Sequence, residues 1–335
     1  MKPDLKKKLD IGLSAVQQAA QLVKKIQKEI SMNAIDKLDR SPVTVADFAS
    51  QAVISHILRD SLGDICLVGE EDSNTLRNER SKNSLDLVSF YVNTIFPNTH
   101  VDTICDWIDF GNERPSKNYW TVDPIDGTKG FLRGDQYAVA LAYVENGTIQ
   151  IGILGCPNLL NATIPDDHCP GSLVFAVRNE GTFFLPLDHP IDLSAKKKLN
   201  VSGTRQSSDI IILRSFESAH TNVDKINAVA DALSSKKEPI RMDSQAKYAL
   251  LAGGAGDLIL RLLSPTRPDY EEKIWDQAAG AIILEEAGGR ISDLTGKPLD
   301  FTQGRTLKKN RGVLATNGLI HHHVLQTLKK FEEIN

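Results

Sequence analysis

The stretch from Tyr119 to Cys156 constrains the fold of this 335-residue chain more than any other. YWTV, YAVALAYV and TIQIGILG are rich in β-branched and aromatic residues, and Glu145-Asn146-Gly147 stands between the last two. Asn-Gly between apolar runs is a strong hairpin signal, because both residues tolerate positive φ. LVFAVR and TFFLPL repeat the arrangement around Asn179-Glu180-Gly181. An antiparallel sheet is therefore expected in the middle of the chain.

Helical patterns flank it. Leu9, Leu13, Val16, Ala20 and Val23 recur at three- and four-residue steps, which predicts an amphipathic helix over the first thirty residues. After the polar NAIDKLDRSP a second helix is expected from near Thr44, with Ala49, Ala52, Val53 and Ile57 on one face. DICLVGEED reads as a short buried strand ending in acidic residues. Residues 72–118 are polar, contain Pro97 and Pro115, and read as loops around one short helix. Beyond Ser194 strands and helices alternate: DIIILRSF, VDKINAVADAL, YALLAGGAG and DLILRLL. A helix from about Trp275 to Ala287 is closed by Gly288-Gly289, and a final helix runs through HHVLQTLKKFEEI. This order predicts an α+β lobe over residues 1–195 and an α/β lobe over 196–335, both layered.

The net charge of −4 argues against a partner that is a nucleic-acid polymer or a membrane surface. No apolar run approaches the ~20 residues of a membrane span. The N-terminus MKPDLKKKLD lacks the apolar segment of a secretory signal. Cys66, Cys105, Cys156 and Cys169 are scattered without zinc-like spacing, which suits a reducing compartment. A cytoplasmic location is expected. His321-His322-His323 falls in the last helical pattern and reads as a solvated helix face.

The carboxylates carry the chemistry. In DPIDGT, Pro124 restricts Asp123 to extended geometry, and Asp126 follows three residues on. Two carboxylates with the Ile125 carbonyl between them are hard oxygen ligands suited to Mg²⁺. Gly127 permits close approach of a phosphate, Thr128 adds a hydroxyl that can orient a water, and their amides would face an anion if a helix begins here. Each motif alone has an ordinary reading. Asp-Gly is a turn, Gly69-Glu70-Glu71-Asp72 a solvated acidic end, Thr44 to Asp47 a capping box, and Asp276 a first-turn acid.

Taken in order, SPVTVAD, GEED, WTVDPIDGT and KIWDQAAG resemble the lithium-sensitive, Mg²⁺-dependent phosphatase superfamily. That superfamily includes inositol monophosphatases, inositol polyphosphate 1-phosphatases and fructose 1,6-bisphosphatases. The resemblance runs from about Leu13 to the final helix. Within it, SPVTVADFASQ, SFESAH, DSQAKYALLAGGAGDLILRL and YEEKIWDQAAG look like the 3′(2′),5′-bisphosphate nucleotidases. Residues 73–118 match only in outline, and lying between two metal motifs they are expected to shape the mouth of the site.

The resemblance implies a layered αβαβα sugar-phosphatase fold with the active site between two lobes. It implies two to three Mg²⁺ ions: one on Glu70, Asp123 and the Ile125 carbonyl, one on Asp123, Asp126 and Asp276, and a weaker one on Glu70. Asp47 and Thr128 would be catalytic, with Thr128 hydrogen-bonded to Asp47 and orienting the attacking water. Gly127, Thr128, His220, Ser244, Lys247 and Arg261 would hold the substrate; without the resemblance, His220, Lys247 and Arg261 read as ordinary surface residues. The implied reaction is removal of the 3′-phosphate of adenosine 3′,5′-bisphosphate to give AMP and phosphate, and 3′-phosphoadenosine 5′-phosphosulfate is a further candidate substrate. Hydrolysis of inositol 1,4-bisphosphate and a non-catalytic nucleotide sensor remain open alternatives. The oligomeric state is not legible, and a monomer is compatible with every motif.

Overall fold

The computed structural model describes residues 1–32, 42–78, 81–216, 223–264 and 267–333. Helix α1 (Pro3–Met32) buries Leu9, Leu13, Val16, Ala20 and Val23, the expected apolar face. Helix α2 (Pro42–Leu62) begins two residues before Thr44. Proline suits the first helical position, where its missing N–H would have had no partner anyway. Thr44 therefore lies inside the helix and not ahead of it.

Strand β1 (Leu67–Gly69) is followed by α3 (Lys82–Asn93) and α4 (Val101–Asp109), so the 72–118 segment holds two helices where one was expected. Val88, Tyr91 and Val92, then Ile104, Cys105 and Ile108, recur at helical spacing and are buried. That sparse apolar pattern outweighs the polar background. Next come β2 (Asn118–Asp126), α5 (Thr128–Arg133), β3 (Ala138–Glu145) and β4 (Thr148–Cys156). The β3–β4 turn has Asn146 at φ 51° and Gly147 at φ 76°, as the hairpin signal requires. A small pair, β5 (Leu159–Leu160) and β6 (Ile164–Pro165), precedes β7 (Ser172–Val177), β8 (Gly181–Pro186) and β9 (Lys197–Leu199). Among the described residues these build a seven-stranded sheet, β1-β2-β3-β4-β7-β8-β9, antiparallel apart from the parallel β1–β2 pair.

The chain changes sheets between Leu199 and Ile212. Strands β10 (Ile212–Arg214), β11 (Ile240–Arg241), β12 (Leu258–Arg261), β13 (Arg290–Ser292) and β14 (Val313–Thr316) form a second sheet in the order β11-β10-β12-β14-β13. Helices α6 (Val223–Ala232), α7 (Ala246–Ala252), α8 (Ala278–Glu286) and α9 (His321–Glu333) complete it. Helix α8 ends in a Schellman motif: Gly289 N–H donates to Leu284 O and Gly288 N–H to Glu285 O, with Gly288 at φ 96°.

Three apolar clusters fill the spaces between layers: α1 and α2 against the large sheet, that sheet against α7, α8 and the small sheet, and the small sheet against α6 and α9. This is the αβαβα order expected. Gly152 and Gly155 of β4 show how tightly it closes. Three residues apart, they face opposite sides of the sheet. A Cβ on Gly152 would lie 2.4 Å from the Ile282 side chain on α8, and one on Gly155 would lie 2.7 Å from the Ala20 side chain on α1. No helix among the described residues is long and apolar enough to cross a membrane. The histidine triplet is not a uniform solvated face: His322 and His323 are exposed, but His321 is fully buried between Ser292 Oγ and Thr316 Oγ1, each 3.0 Å away.

Candidate functional site

Strands β1 and β2 run parallel with Gly69 opposite Val122, so the residues that follow, Glu70 and Asp123, emerge side by side and share a hydrogen bond. Pro124 cannot donate to β3, and the register breaks between Asp123, opposite Ala140, and Asp126, opposite Ala138. The chain bulges there. Asp123 Oδ1 accepts from Ile125 N–H at 3.1 Å, and Ser50 Oγ donates to the Pro124 carbonyl at 3.0 Å, which ties the bulge to α2.

One face of α2 presents Asp47, Ser50 and Gln51, one turn apart. Gln51 is fully buried; its Nε2 donates to Glu71 O at 2.6 Å and Ile108 O at 2.9 Å, and its Oε1 accepts from Glu71 N–H at 3.0 Å. A Cβ on Gly69 would sit 2.5 Å from Gln51 Oε1, so the glycine of GEED makes room for that amide. Asp47 is buried beside Glu70 and Glu71.

The part of the chain that builds the second sheet contributes as well. Gln245 N–H donates to Asp126 Oδ2 at 2.6 Å, and its side chain reaches Trp275 O at 2.9 Å, next to Asp276. Arg261 engages Glu272 through Nε and Nη2 at 3.1 and 2.9 Å, with Nη2 3.8 Å from Asp276. Lys247 is buried and donates to Met242 O at 3.2 Å and Ser244 O at 2.9 Å. Neither cation is the exposed surface charge that its residue type alone suggests. Ser244 has φ 73° and packs on Gly127: a Cβ there would lie 2.6 Å from Ser244 Cβ, and Gly127 itself has φ 90°. The glycine of DPIDGT thus answers to Ser244 packing and to its own backbone angle. His220 lies outside the described residues.

Thr128 opens α5, and its hydroxyl donates to Ile125 O at 3.4 Å. The expected Thr128–Asp47 hydrogen bond is not made among the described residues. The tight Gly127 turn folds the hydroxyl back over the carbonyl three residues earlier.

Electrostatics mark the cleft. Burial, then Glu70, Asp126, Asp276 and Asp47, hold Asp123 well above the usual carboxylate range. Burial, with Asp126, Glu272 and Glu70 outweighing Arg261, does the same to Asp276. Asp126 is raised by burial, though Lys247, Arg261 and the Gln245 amide oppose it. Glu70 is raised by desolvation in the cleft and by Asp126, against its hydrogen bond with Asp123. Burial followed by Glu71 and Glu70 raises Asp47 well above its ordinary value, and Glu71 is pushed up to about 7 by burial and Glu70. Burial pushes Lys247 down to about 8, with Asp126 opposing.

This is a site short of positive charge. At 4 Å two unit charges repel by about 4 kcal/mol at an effective dielectric of 20. As they stand, no three acidic or histidine side chains among the described residues are drawn in tightly enough to hold an ion. The donor set nevertheless fits a hard divalent cation: four carboxylates from converging segments plus the Ile125 carbonyl, all oxygen.

Gln51, Gln245, Glu272 and Arg305 are parts of this site that sequence reasoning missed. Arg305 donates to Gly69 O and, at 3.2 Å, to Glu113 O, and its guanidinium lies 4.8 Å from the Trp275 ring centre. Only Gln51 left a signal, since it falls one helical turn after Asp47.

The chain matches the model of the inositol monophosphatase family over residues 4–333. It is 38% identical to the 3′(2′),5′-bisphosphate nucleotidase of Schizosaccharomyces pombe, covering 94% of this chain and 93% of that one. The Dictyostelium discoideum protein of the same name is 37% identical, with 98% of each chain covered. Among solved structures, an inositol monophosphatase from Anabaena superposes with a TM-score of 0.62 at 21% identity, over 98% of this chain and 97% of that one. That last likeness concerns the fold.

Proposed function

This chain belongs to the inositol monophosphatase family, and from that premise we propose that it is a Mg²⁺-dependent 3′(2′),5′-bisphosphate nucleotidase. Its proposed reaction converts adenosine 3′,5′-bisphosphate to AMP and phosphate, with 3′-phosphoadenosine 5′-phosphosulfate as a second substrate. Relatives at 37–38% identity over nearly the whole chain carry the nucleotidase name, which supports the reading. The observation that carries it is the pairing of a charge-deficient carboxylate cleft with buried Lys247, which acts on Asp126, and half-buried Arg261, whose Nη2 lies 3.8 Å from Asp276. A monophosphate needs the cleft alone. A bisphosphate gives the extra cations something to hold.

In this reading Glu70, Asp123, Asp126, Asp276 and the Ile125 carbonyl hold two to three Mg²⁺ ions. Bound there, magnesium neutralises phosphate charge, acidifies water and stabilises the leaving oxygen. The residues of the chain do the rest. Asp47, buried beside Glu70 and Glu71, takes a proton from the attacking water by way of Thr128. For that step the Thr128 hydroxyl turns from the Ile125 carbonyl toward Asp47. Gly127 and Thr128 flank the reacting phosphate, while His220, Ser244, Lys247 and Arg261 bind the nucleotide part. The site forms between the proposed lobes, 1–195 and 196–335. One chain supplies every residue, so a monomer suffices, and the proposed location is the cytoplasm.

Phosphate release from a panel of nucleotide and inositol bisphosphates, with and without Mg²⁺, tests the proposal. The nucleotide should turn over fastest and only with metal. Preference for inositol 1,4-bisphosphate would overturn the substrate, and binding without turnover would make the chain a sensor.

A further inference from the structure

We infer that Gln245 is a positioning residue that joins the two halves of the metal site, an inference resting on the Mg²⁺-dependent reading above. Asp126 ends β2 of the large sheet, while Asp276 lies in the segment leading into α8. Gln245 contacts both segments. Its backbone N–H donates to Asp126 Oδ2 at 2.6 Å. Its side-chain Nε2 donates to Trp275 O at 2.9 Å, the carbonyl of the peptide bond that leads into Asp276. Its Oε1 accepts from Gly280 N–H at 3.0 Å, so the same amide also pins the first turn of α8.

The placement is costly, which argues that it is specified. Gln245 is 2% exposed, and its buried amide has found a donor and an acceptor. The preceding residue, Ser244, takes φ 73°, a region that a side chain with a Cβ seldom occupies. The Asp276 segment is braced from the other side as well, because Arg305 lies against the Trp275 ring and donates to Gly69 O beside Glu70. Gln245 therefore sets how far Asp276 stands from Asp126, and that separation decides whether one ion can be shared. Groups that orient metal ligands in this way commonly change metal affinity 10–100-fold when lost, by roughly the scale of known cases.

Gln245→Met keeps the length of the side chain and removes its hydrogen bonds. Thr182→Val is the control: it removes the buried bond from Thr182 Oγ1 to Ile283 O, 2.6 Å, on the same helix α8 but with no contact to the carboxylates. Mg²⁺ binding is measured by isothermal calorimetry on the full chain, beside the melting temperature in EDTA. Gln245→Met should weaken Mg²⁺ binding about 10–100-fold, and should raise the Mg²⁺ needed for half-maximal turnover by the same factor. Thr182→Val should lower the melting temperature and leave Mg²⁺ affinity alone. If Gln245→Met does not fold, Gln245→Asn, which draws the amide back by one methylene, is read in the same way. Unchanged Mg²⁺ affinity in the Gln245 variants, or an equal loss in Thr182→Val, overturns the inference. A wild-type chain that binds no Mg²⁺ overturns instead the metal-dependent reading beneath it.

Discussion

Arg261→Met should destabilise the protein by about 3–5 kcal/mol, because it leaves a buried carboxylate without its partner. Glu272 is only 4% exposed, and Arg261 meets both of its oxygens, at 3.1 and 2.9 Å. At 2.9 Å the attraction is about 6 kcal/mol for an effective dielectric of 20, much of it offset by the cost of burying both charges. Burial pulls the Arg261 pKa down, yet Glu272 and Asp276 outweigh it and the guanidinium is held above its ordinary value. Removing the cation alone strands Glu272 next to Asp276 and Asp126. Adding Glu272→Gln removes the stranded charge, and the amide can still accept from Gln277 Nε2, 2.9 Å away. The double variant should recover most of the loss. Urea unfolding followed by circular dichroism, in EDTA, gives both values. A single-variant loss under about 1 kcal/mol, the scale of an exposed pair, would refute the argument. The double variant also tests function without the confounding instability. If Arg261 holds the nucleotide, kcat/KM for adenosine 3′,5′-bisphosphate should fall roughly ten- to 150-fold, from about 1.5–3 kcal/mol for a charged hydrogen bond. p-Nitrophenyl phosphate should lose much less. Equal losses on both substrates would put the nucleotide contact elsewhere.

Asp47→Asn should lower kcat by about 10²–10⁴-fold while calorimetric Mg²⁺ binding persists; wild-type kcat would leave Asp47 a purely structural buried acid. EDTA should abolish phosphate release, added Mg²⁺ should restore it, and millimolar Li⁺ should inhibit it; full activity in chelated buffer would sink the metal-dependent reading. Stability should also depend on pH in a metal-linked way. Asp47, Asp123, Asp126, Asp276 and Glu70 are all raised, and Glu71 titrates at about 7, so the metal-free folded chain holds protons that the unfolded chain has lost. That stability is present below the ordinary carboxylate range and is lost as pH rises through the folded values. Buried His321, pushed down to about 4, works in the opposite sense, so the difference between Mg²⁺ and EDTA is the quantity to follow. The Mg²⁺-dependent gain in melting temperature should grow from about pH 5 to about pH 8, and a flat difference would mean that the carboxylates do not sense one another.

Local chemistry by itself determined the secondary structure around the site. Asn146-Gly147 set a hairpin because both residues accept positive φ, and Gly288, at φ 96°, closed α8 for the same reason. Pro124 broke the β2 ladder because it has no N–H to give. The ordered acidic motifs were legible too, since they rest on residue identity and spacing. Where local signals were mixed the reading slipped: Pro42 rather than Thr44 starts α2, and α3 and α4 hide within a mostly polar segment.

Only the tertiary structure decided which polar groups meet. Lys247 and Arg261 look like surface charges in one dimension, yet Lys247 is buried on the carbonyls of Met242 and Ser244, and Arg261 is held against buried Glu272. Gln51 and Gln245 draw their significance from groups that β1, β2, α4 and α8 bring to them. The Thr128 hydroxyl turned to Ile125 O instead of Asp47 because the Gly127 turn left that carbonyl nearer. The physical reason is plainest for the two glutamines. Apolar periodicity and turn preference act between near neighbours and leave a record in the sequence, whereas a buried hydrogen bond or ion pair is specified by partners that approach only when separate layers pack together.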